Sequence, residues 1–585
     1  MGGHAGLGVV GGAAARQVIF LLLALSLPIS AGAIPQQTTP SQTEEVKRLY
    51  DAEQWEAVLR AAPADPNALA ETDLYRGLAL GKLQRWAEAR TALEEGERKD
   101  PGDERFHVEL AGVEYKQKDF RAAEAELRRA LRLEPKDAYA LNFLASIYFL
   151  RGNLEAALEY WNRAGMPHVN TVKEVPEPQV RAKLLDRAFV FAPLSTLERK
   201  DFETTQARVD NLGIFSFYRW ELRPTKDGAE TDANSFDVIF HSIQQNGFGA
   251  NKWIAALSTL RGLPYETIYP EYDNAFHAAV NFDSLLRFDP EKERAFAEMS
   301  SPVGGDPRWR ARAWIDGRDE NWNITGSFSG ASAPISDLQL RKIEAGAGVR
   351  SVENGRWSWQ TSVAFARRSF RNQTGLEPAA TPFFTDGNSL ELTAATNYRL
   401  LSIPERRITV DSSASVTLGR FFAAPLSTYA RATGSVALRW LPKEQGDDYE
   451  MRTTLRAGGT AGLVPLDELF TLGVERDDND LWLRGISGTH GGRKGNSPMG
   501  RDYVLWNWEE DKIVYDGAFF QVRVGPLLDA GRIWDPAGLF GSRGWLWDPG
   551  AQVKVRVLDS FEVVLSYGHD VRSGQNTFFG GTERK

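Results

Sequence analysis

Side chains able to perform chemistry are sparse in this chain of 585 residues. It contains no cysteine, which excludes disulfide frameworks, thiolate zinc sites, cysteine nucleophiles and lipid attachment through a cysteine. None of the seven histidines forms an HExxH or similar metal-ligand pair. Paired carboxylates could hydrolyse a glycoside, but no such pair stands out. We therefore predict a large non-enzymatic chain with no catalytic residues, no metal site and no cofactor.

Composition and charge narrow the class of protein further. The 78 acidic residues outnumber the 69 basic ones, giving a net charge of -9, so no basic field indicates a nucleic-acid partner. The 42% hydrophobic content argues against disorder of the whole chain. At about 150 residues per domain, the length predicts three to four domains.

The N-terminal residues are typical of a secretory signal peptide. Arg16 precedes an apolar run at 18–29, and small residues at 31–33 form a cleavage site. A membrane anchor is the alternative, but a helix of about 12 apolar residues is too short to cross about 30 Å of hydrocarbon. We expect residues 1–33 to be a signal peptide.

An internal repeat occupies residues 42–165. Trp86, Phe120 and Leu154 lie 34 residues apart, and small residues recur with the same period. These segments resemble tetratricopeptide repeats, which implies an all-α solenoid whose units pack on their neighbours and offer a groove to a partner protein. Four tyrosines are interpreted as packing residues, with contact to a bound peptide as the alternative: Tyr75, Tyr115, Tyr139 and Tyr148.

A linker and a small domain are predicted after the repeats. Prolines interrupt the period at 166–186, which indicates the linker. An extended segment (183–192), an amphipathic helix ending at Gly213, and two further strands then predict an α+β domain at 186–246. The helix-to-strand junction RVDNLGIFSFYRWEL (208–222) resembles the end of a POTRA domain, with an unrelated α+β linker domain as the alternative.

From about residue 247 to 585, polar and apolar residues alternate. In 431–440 (RATGSVALRW), one side is mainly apolar and the other mainly polar. This pattern fits either a half-buried soluble sheet or a membrane barrel. Export, the aromatic residues of the apolar side, and the expected absence of helices favour the membrane. Since only closed barrels cross lipid as strands, we predict a transmembrane β-barrel of about 16 strands.

Two short motifs carry a resemblance to a known family. LRGI (483–486) is similar to the V/I-R-G-F/Y signature of the long loop in BamA/TamA-type outer-membrane proteins. LLDAG (527–531) is similar to that family's F-x-D-x-G strand signature, with Leu527 in place of the phenylalanine. The resemblance covers about residues 185–585 and implies a multidomain outer-membrane protein.

The resemblance also implies a pair of interacting residues. The loop that carries Arg484 and Gly485 would fold into the barrel lumen, where Arg484 would meet Asp529, next to Gly531. A planar guanidinium suits a carboxylate, and glycines allow close backbone approach. The alternative is that Arg484 is a solvated loop residue and Asp529 an ordinary turn acid. Glu509 and Glu510 are interpreted as plain strand or turn acids.

Three functions are compatible with these features. The favoured one is an outer-membrane component that assists insertion or translocation of client proteins, with periplasmic repeats that recruit a partner. Its partners would be periplasmic or outer-membrane clients and outer-membrane lipid, and no nucleic acid. The alternative is a passive or gated outer-membrane channel or receptor. A soluble enzyme on a β scaffold leaves the repeats and the alternation unexplained.

Overall fold

A computed structural model describes residues 41–225, 234–249, 252–325, 334–375, 378–422, 427–443, 448–475, 480–517, 519–536, 540–542, 544–558 and 561–584. The predicted signal peptide at 1–33 lies outside the described residues. The chain divides into two compact units, Met1–Pro101 and Gly102–Lys585.

The first unit contains four helices: α1 (Gln42–Asp51), α2 (Trp55–Ala61), α3 (Ala70–Lys82) and α4 (Trp86–Lys99). A capping box formed by Ser41 and Glu44 starts α1. A side-chain carbon on Gly77 of α3 would lie 2.6 Å from Leu93 of α4. The small residue at this repeat position therefore lets the two helices of a pair approach closely.

The second unit begins with two more helix pairs: α5 (Glu104–Lys116) with α6 (Phe120–Leu133), and α7 (Ala138–Leu150) with α8 (Leu154–Arg163). Each of these helices starts after an aspartate or asparagine whose side chain accepts a first-turn N–H. Ala111, Ala123 and Ala145 are fully buried between the helices. Tyr148 is buried in the same core, whereas Tyr139 is 65% exposed.

A small α+β domain follows, formed by β1 (His168–Val175), α9 (Ala182–Ala188), α10 (Arg199–Leu212), β2 (Phe215–Pro224) and β3 (Ser235–Gln244). Its sheet order is β1-β3-β2, with β1 parallel and β2 antiparallel to β3. As predicted, α10 ends at Gly213, which has φ 61°.

Two expectations for this region were wrong. The predicted linker at 166–186 contains β1, which pairs with β3 along its length. The segment predicted as extended at 183–192 begins as part of helix α9. Its sequence AKLLDRA consists mainly of strong helix formers and buries Leu184, Leu185 and Ala188 on one side, which favours helix over strand.

The last repeat helices and the small sheet share one apolar core. The ring of Phe236 in β3 lies 5.4 Å from Trp161 of α8 and 5.9 Å from Phe149 of α7, measured between centroids. Val238 is buried in the same cluster. The boundary predicted at residue 165 therefore does not separate two independent cores.

The rest of the unit is a large, mostly antiparallel sheet preceded by helix α11 (Lys252–Leu260). This helix contradicts the expectation that no helix interrupts the strands after residue 247. It forms because KWIAALSTL carries its large apolar residues at helical, not alternating, spacing.

The strands are β4 (Thr267–Ile268), β5 (Tyr272–Ala275), β6 (Val280–Asp289), β7 (Lys292–Val303), β8 (Asp306–Thr325), β9 (Pro334–Val352), β10 (Trp357–Thr374), β11 (Gly387–Ile403), β12 (Ile408–Phe421), β13 (Ser427–Trp440), β14 (Tyr449–Gly462), β15 (Phe470–Thr471), β16 (Thr489–His490), β17 (Arg493–Lys494), β18 (Met499–Gly500), β19 (Asp502–Asp516), β20 (Phe520–Trp534), β21 (Leu546–Val557), β22 (Phe561–His569) and β23 (Asn576–Arg584).

The antiparallel pairing follows the chain. Each strand from β6 to β14 pairs with the next, β14 then pairs with β19, and the order continues to β23. The short strands β4 and β5 both pair with β6. At the other end, Gly580 of β23 lies against the hydroxyl of Tyr265, just before β4.

The two faces of this sheet are inverted relative to a soluble protein. In β11, Leu390 and Leu392 are 43% and 51% exposed, whereas the intervening Glu391 and the preceding Ser389 are buried. We call the side with exposed apolar residues the outer face and the other the polar face. Apolar residues outside and charged residues inside are typical of a membrane barrel strand. In the parts of the chain that the structure describes, no helix has both the length and the apolarity needed to span a bilayer.

Candidate functional site

The polar face is crossed by a long connection between β14 and β19, residues 463–501, which we call the inserted loop. It is described except at 476–479 and includes β15 to β18. Lys494 of the loop pairs in parallel with Trp322 of β8. At another point, Gly485 packs against β21 and β22. Because one loop contacts strands far apart in the sheet order, the sheet curves around it.

The structure brings Arg484 and Asp529 together. The Nε and Nη2 atoms of Arg484 donate to the two carboxylate oxygens of Asp529 at 2.8 Å and 2.7 Å, and its backbone N–H donates at 2.9 Å. The side chains are 4% and 0% exposed. This is the bidentate geometry that a planar guanidinium forms with a carboxylate, and it fixes both the side chain and the backbone of the loop.

Three strand residues complete this pair. Asn507 of β19 donates to Asp529 at 2.7 Å, and Gln552 of β21 accepts from Arg484 at 3.1 Å. Glu509 lies 3.7 Å from Arg484 and accepts from Lys554 at 2.8 Å. The interpretation of Glu509 as a plain strand acid was therefore wrong, because it belongs to the charged cluster around the loop.

The glycines of the two motifs allow close packing. A side-chain carbon on Gly485 would lie 2.5 Å from the backbone nitrogen of Asp570 and 2.7 Å from the carboxylate carbon of Asp548. The Gly485 N–H donates to Asp548 at 2.7 Å, which satisfies a buried backbone group. The site of Gly531 is less crowded, since a side-chain carbon there would lie 3.1 to 3.3 Å from flexible leucine side chains.

A second ionic cluster holds the start of the inserted loop. The side chain of Arg368 in β10 is fully buried and donates to Asp467 at 2.8 and 2.9 Å and to Glu468 at 2.8 Å. It also donates to Glu391 of β11 at 2.9 Å. Lys342 of β9 lies 3.2 Å from Glu468. Two positive and three negative side chains therefore lie in contact where the loop meets the sheet.

A third cluster holds the far end of the loop. Lys494 donates to Glu320 of β8 at 2.8 Å and lies 3.5 Å from Glu475. All three side chains are about 5 or 6% exposed. Sequence reasoning missed this cluster and the one around Arg368, because no local motif marks residues that meet only across the folded sheet.

The repeat array touches the sheet through its last helix. The side chain of Asn153, at the start of α8, donates to the Pro404 carbonyl oxygen at 2.8 Å in the turn between β11 and β12. The Tyr160 hydroxyl donates to Glu405 at 3.1 Å, and its ring stacks on Tyr148 at 5.7 Å. Burial, reinforced by Glu405, raises the pKa of Tyr160 to about 12, so its hydroxyl stays protonated as a donor.

The small α+β domain meets the same edge of the sheet. A side chain on Gly355, in the turn between β9 and β10, would overlap Glu203 of α10, so the helix and the turn are in close contact. Asn211 of α10 donates to the Pro307 carbonyl oxygen at 2.8 Å. Within the part of the chain that the structure describes, no group of acidic or histidine side chains suited to a metal ion occurs.

Comparisons with known proteins agree with parts of this description. Residues 74–120 and 113–165 match the tetratricopeptide repeat model. Residues 74–165 are therefore tetratricopeptide repeats. No curated protein sequence matches the chain.

Several solved structures are similar to the chain at low identity. BamA from Haemophilus ducreyi lacking POTRA domains 1–3 is 13% identical, with 71% of this chain and 84% of that chain covered and a TM-score of 0.42. CdiB from Escherichia coli is 12% identical, with coverages of 72% and 76% and a TM-score of 0.46. CdiB from Acinetobacter baumannii is 12% identical, with coverages of 82% and 87% and a TM-score of 0.42.

Proposed function

We propose that this chain is an outer-membrane β-barrel protein that assists the insertion or translocation of client proteins, with periplasmic repeats that recruit a partner. The observation that carries this proposal is the inverted sheet with an inserted loop fixed across its polar face. The ion pair of Arg484 and Asp529 holds the loop on the strands, and the motif residues Gly485 and Gly531 pack beside this pair.

The exposed apolar side chains support the proposed location in a membrane. Exposed apolar surface of this extent on a folded sheet requires an apolar partner. Lipid is the partner that can cover the outer face of all the strands at once. In lipid, no strand edge can leave its backbone N–H and C=O groups without hydrogen-bond partners. We therefore infer that the sheet closes into a barrel, with β23 next to the first strands; among the described residues, the first strand position, β6 to β14 and β19 to β23 make fifteen strand positions.

The meeting point of the first and last strands is suited to strand insertion. The first strand position consists of two short pieces, β4 and β5, separated by 269–271. Pro270 in this gap has no N–H to donate to a neighbouring strand. An edge with few backbone hydrogen bonds is easily opened, and an opened edge pairs readily with an incoming strand.

The inserted loop argues against a passive channel. An open pore needs a clear lumen, but three ionic clusters hold the loop across the polar face, around Arg484, Arg368 and Lys494. Each cluster pairs a charge of the loop with an opposite charge of a strand, so displacing the loop would separate these buried pairs. A plug of this kind suits a barrel whose clients pass at the strand edge and not through the centre.

The repeats and the α+β domain occupy the periplasmic side in this proposal. The last repeat helix, α8, contacts the turn at 404–405, and α10 contacts the turn at 355, so both lie at one end of the strands. We propose that the α+β domain is POTRA-like and extends from residue 168 to 246, because β1 completes its sheet. Tetratricopeptide repeats leave a groove for a partner segment, which supports recruitment of client proteins.

The test is reconstitution of the purified chain into liposomes. If the proposal is right, an unfolded outer-membrane barrel client folds into these liposomes faster than into empty ones. A chain lacking residues 42–101 is the matched control for recruitment, since these residues form a separate compact unit. Steady ion current through planar bilayers without any acceleration of client folding would contradict the proposal and favour the channel.

A further inference from the structure

Helix α11 exposes its apolar side. Trp253 is 82% exposed, Leu257 is 48% exposed and Leu260 is 45% exposed. These residues are three to four positions apart and therefore lie on one stripe of the helix. A surface helix of a soluble domain would turn such a stripe toward the core. The stripe of α11 points away from the protein.

The orientation of α11 is fixed by its contacts with the following segment. The Tyr269 N–H donates to the Thr259 carbonyl oxygen at 2.8 Å. Arg261 donates to the Ser258 carbonyl oxygen at 2.7 Å and forms a bidentate pair with Glu271 at 3.0 and 2.5 Å. Its guanidinium also lies 4.1 Å from the centre of the Tyr269 ring. The exposed stripe is therefore a consequence of how the helix is anchored.

The stripe belongs to a larger apolar surface. Just before α11, Phe248 is 60% exposed and contacts Tyr272 of β5, edge to face, with ring centroids 5.1 Å apart. Tyr272 pairs with Phe282 of β6, which is 40% exposed, and Leu286 further along β6 is 44% exposed. Exposed apolar residues therefore lie both in the segment that precedes α11 and on the outer face of the first strands.

We propose that α11 is an interfacial lipid-binding helix that lies in the headgroup region of the bilayer beside the first strand of the barrel. The occupant of the stripe is lipid, because α11 is anchored to the first strand position, beside strands whose exposed apolar face the proposed function assigns to lipid. Trp253 is suited to the membrane interface, and Lys252 beside it offers a cation to anionic headgroups.

Such a helix would hold the first strand at a defined depth. Arg261, Tyr269 and Glu271 connect α11 directly to the interruption between β4 and β5. Binding of α11 to the membrane surface would therefore fix the weakly paired end of the sheet, where clients are proposed to enter. This inference rests on the proposed function for the location of the sheet, but it concerns a separate element.

The absence of cysteine from the chain makes a direct test straightforward. Leu257→Cys places a single environment-sensitive fluorophore on the stripe, and Thr259→Cys places it on the other side of the same helix as the matched control. Leu392→Cys, on the outer face of β11, reports whether the strands are in lipid. Each labelled protein is reconstituted with lipids that carry a nitroxide quencher either near the headgroup or near the end of the acyl chain, and heat-modifiable gel migration checks folding.

The inference predicts a blue shift and strong quenching at Leu257→Cys by the shallow nitroxide, with less quenching by the deep one, since an interfacial helix buries its apolar face about 5–10 Å. Thr259→Cys should be quenched less by either lipid. If Leu392→Cys is quenched but Leu257→Cys is not, the strands are in lipid and the helix inference is overturned. Shielding of Leu257→Cys from water without quenching by lipid would indicate a protein partner, such as a second copy, and would equally overturn it. If neither probe is quenched, the membrane location itself fails.

Discussion

The strongest prediction concerns the buried pair of Arg484 and Asp529. We consider Arg484→Ala, Asp529→Ala and the double variant. Each single change leaves one charge behind in a site where the native side chains are at most 4% exposed. The double change removes both charges, so neither charge is left without its partner and the two single effects should not add.

The structure sets the size of this effect. Removing one partner of a buried ion pair costs about 3–5 kcal/mol when the remaining charge has no compensation. Here the remaining charge is partly compensated. Without Arg484, Asp529 still accepts a hydrogen bond from Asn507, and without Asp529, Arg484 still donates one to Gln552. We therefore expect single effects near the lower end and a coupling free energy of about 0.5–3 kcal/mol. Arg484→Lys should also destabilise, because an ammonium cannot form the two parallel hydrogen bonds.

The assay is urea unfolding of the membrane-inserted protein, followed by heat-modifiable migration on a gel. Arg493 and Asp337 provide the control pair, since they join the same loop to the sheet at 2.9 Å but are 40% and 41% exposed. Their coupling should be only about 0–1 kcal/mol. If the single effects at 484 and 529 add independently, or if the two pairs show equal coupling, the proposed role of the buried pair is refuted.

Three further outcomes are expected. Arg368→Ala should destabilise the barrel by about 3–5 kcal/mol in the same unfolding assay, because it leaves the buried acids of the inserted loop without their main partner. Burial raises the pKa of Glu203, so its carboxyl group binds a proton more tightly in the folded state than in the unfolded state. The free energy of unfolding should therefore fall as the pH rises from the ordinary pKa of a glutamate through the raised pKa of Glu203. Glu203→Gln should flatten this slope, which melting curves across a pH series would show. A soluble fragment 34–246 should melt cooperatively at a higher temperature than 34–170, because the shorter fragment exposes the core that Phe236 covers; equal melting would contradict the shared core.

The sequence was most informative where structure is periodic. The repeat period positioned the helix pairs, since the small residues had to lie at helix contacts, as Ala111 and Ala145 do. Alternation in the C-terminal part predicted the two faces of the strands. The motif residues Arg484 and Asp529 were selected by resemblance, and only the folded structure shows their distance.

Other features depended on contacts that no local pattern records. Strand β1 is recognisable only through its pairing with β3, which lies more than sixty residues further along the chain. The charges that hold the inserted loop, such as Arg368 and Lys494, are isolated residues in their own segments. Helix α11 was missed because nine residues of helical spacing are easily overlooked within a long series of strands.

The most direct test of the central claim is to lock the junction between the first and last strands. Tyr265→Cys and Gly580→Cys lie next to each other at this junction, and the chain has no other cysteine to react. A short bismaleimide should join them, after which the reconstituted protein should no longer accelerate folding of a client barrel, while the unjoined double variant should remain active. Equal acceleration by the joined and unjoined proteins would contradict insertion of clients at this edge.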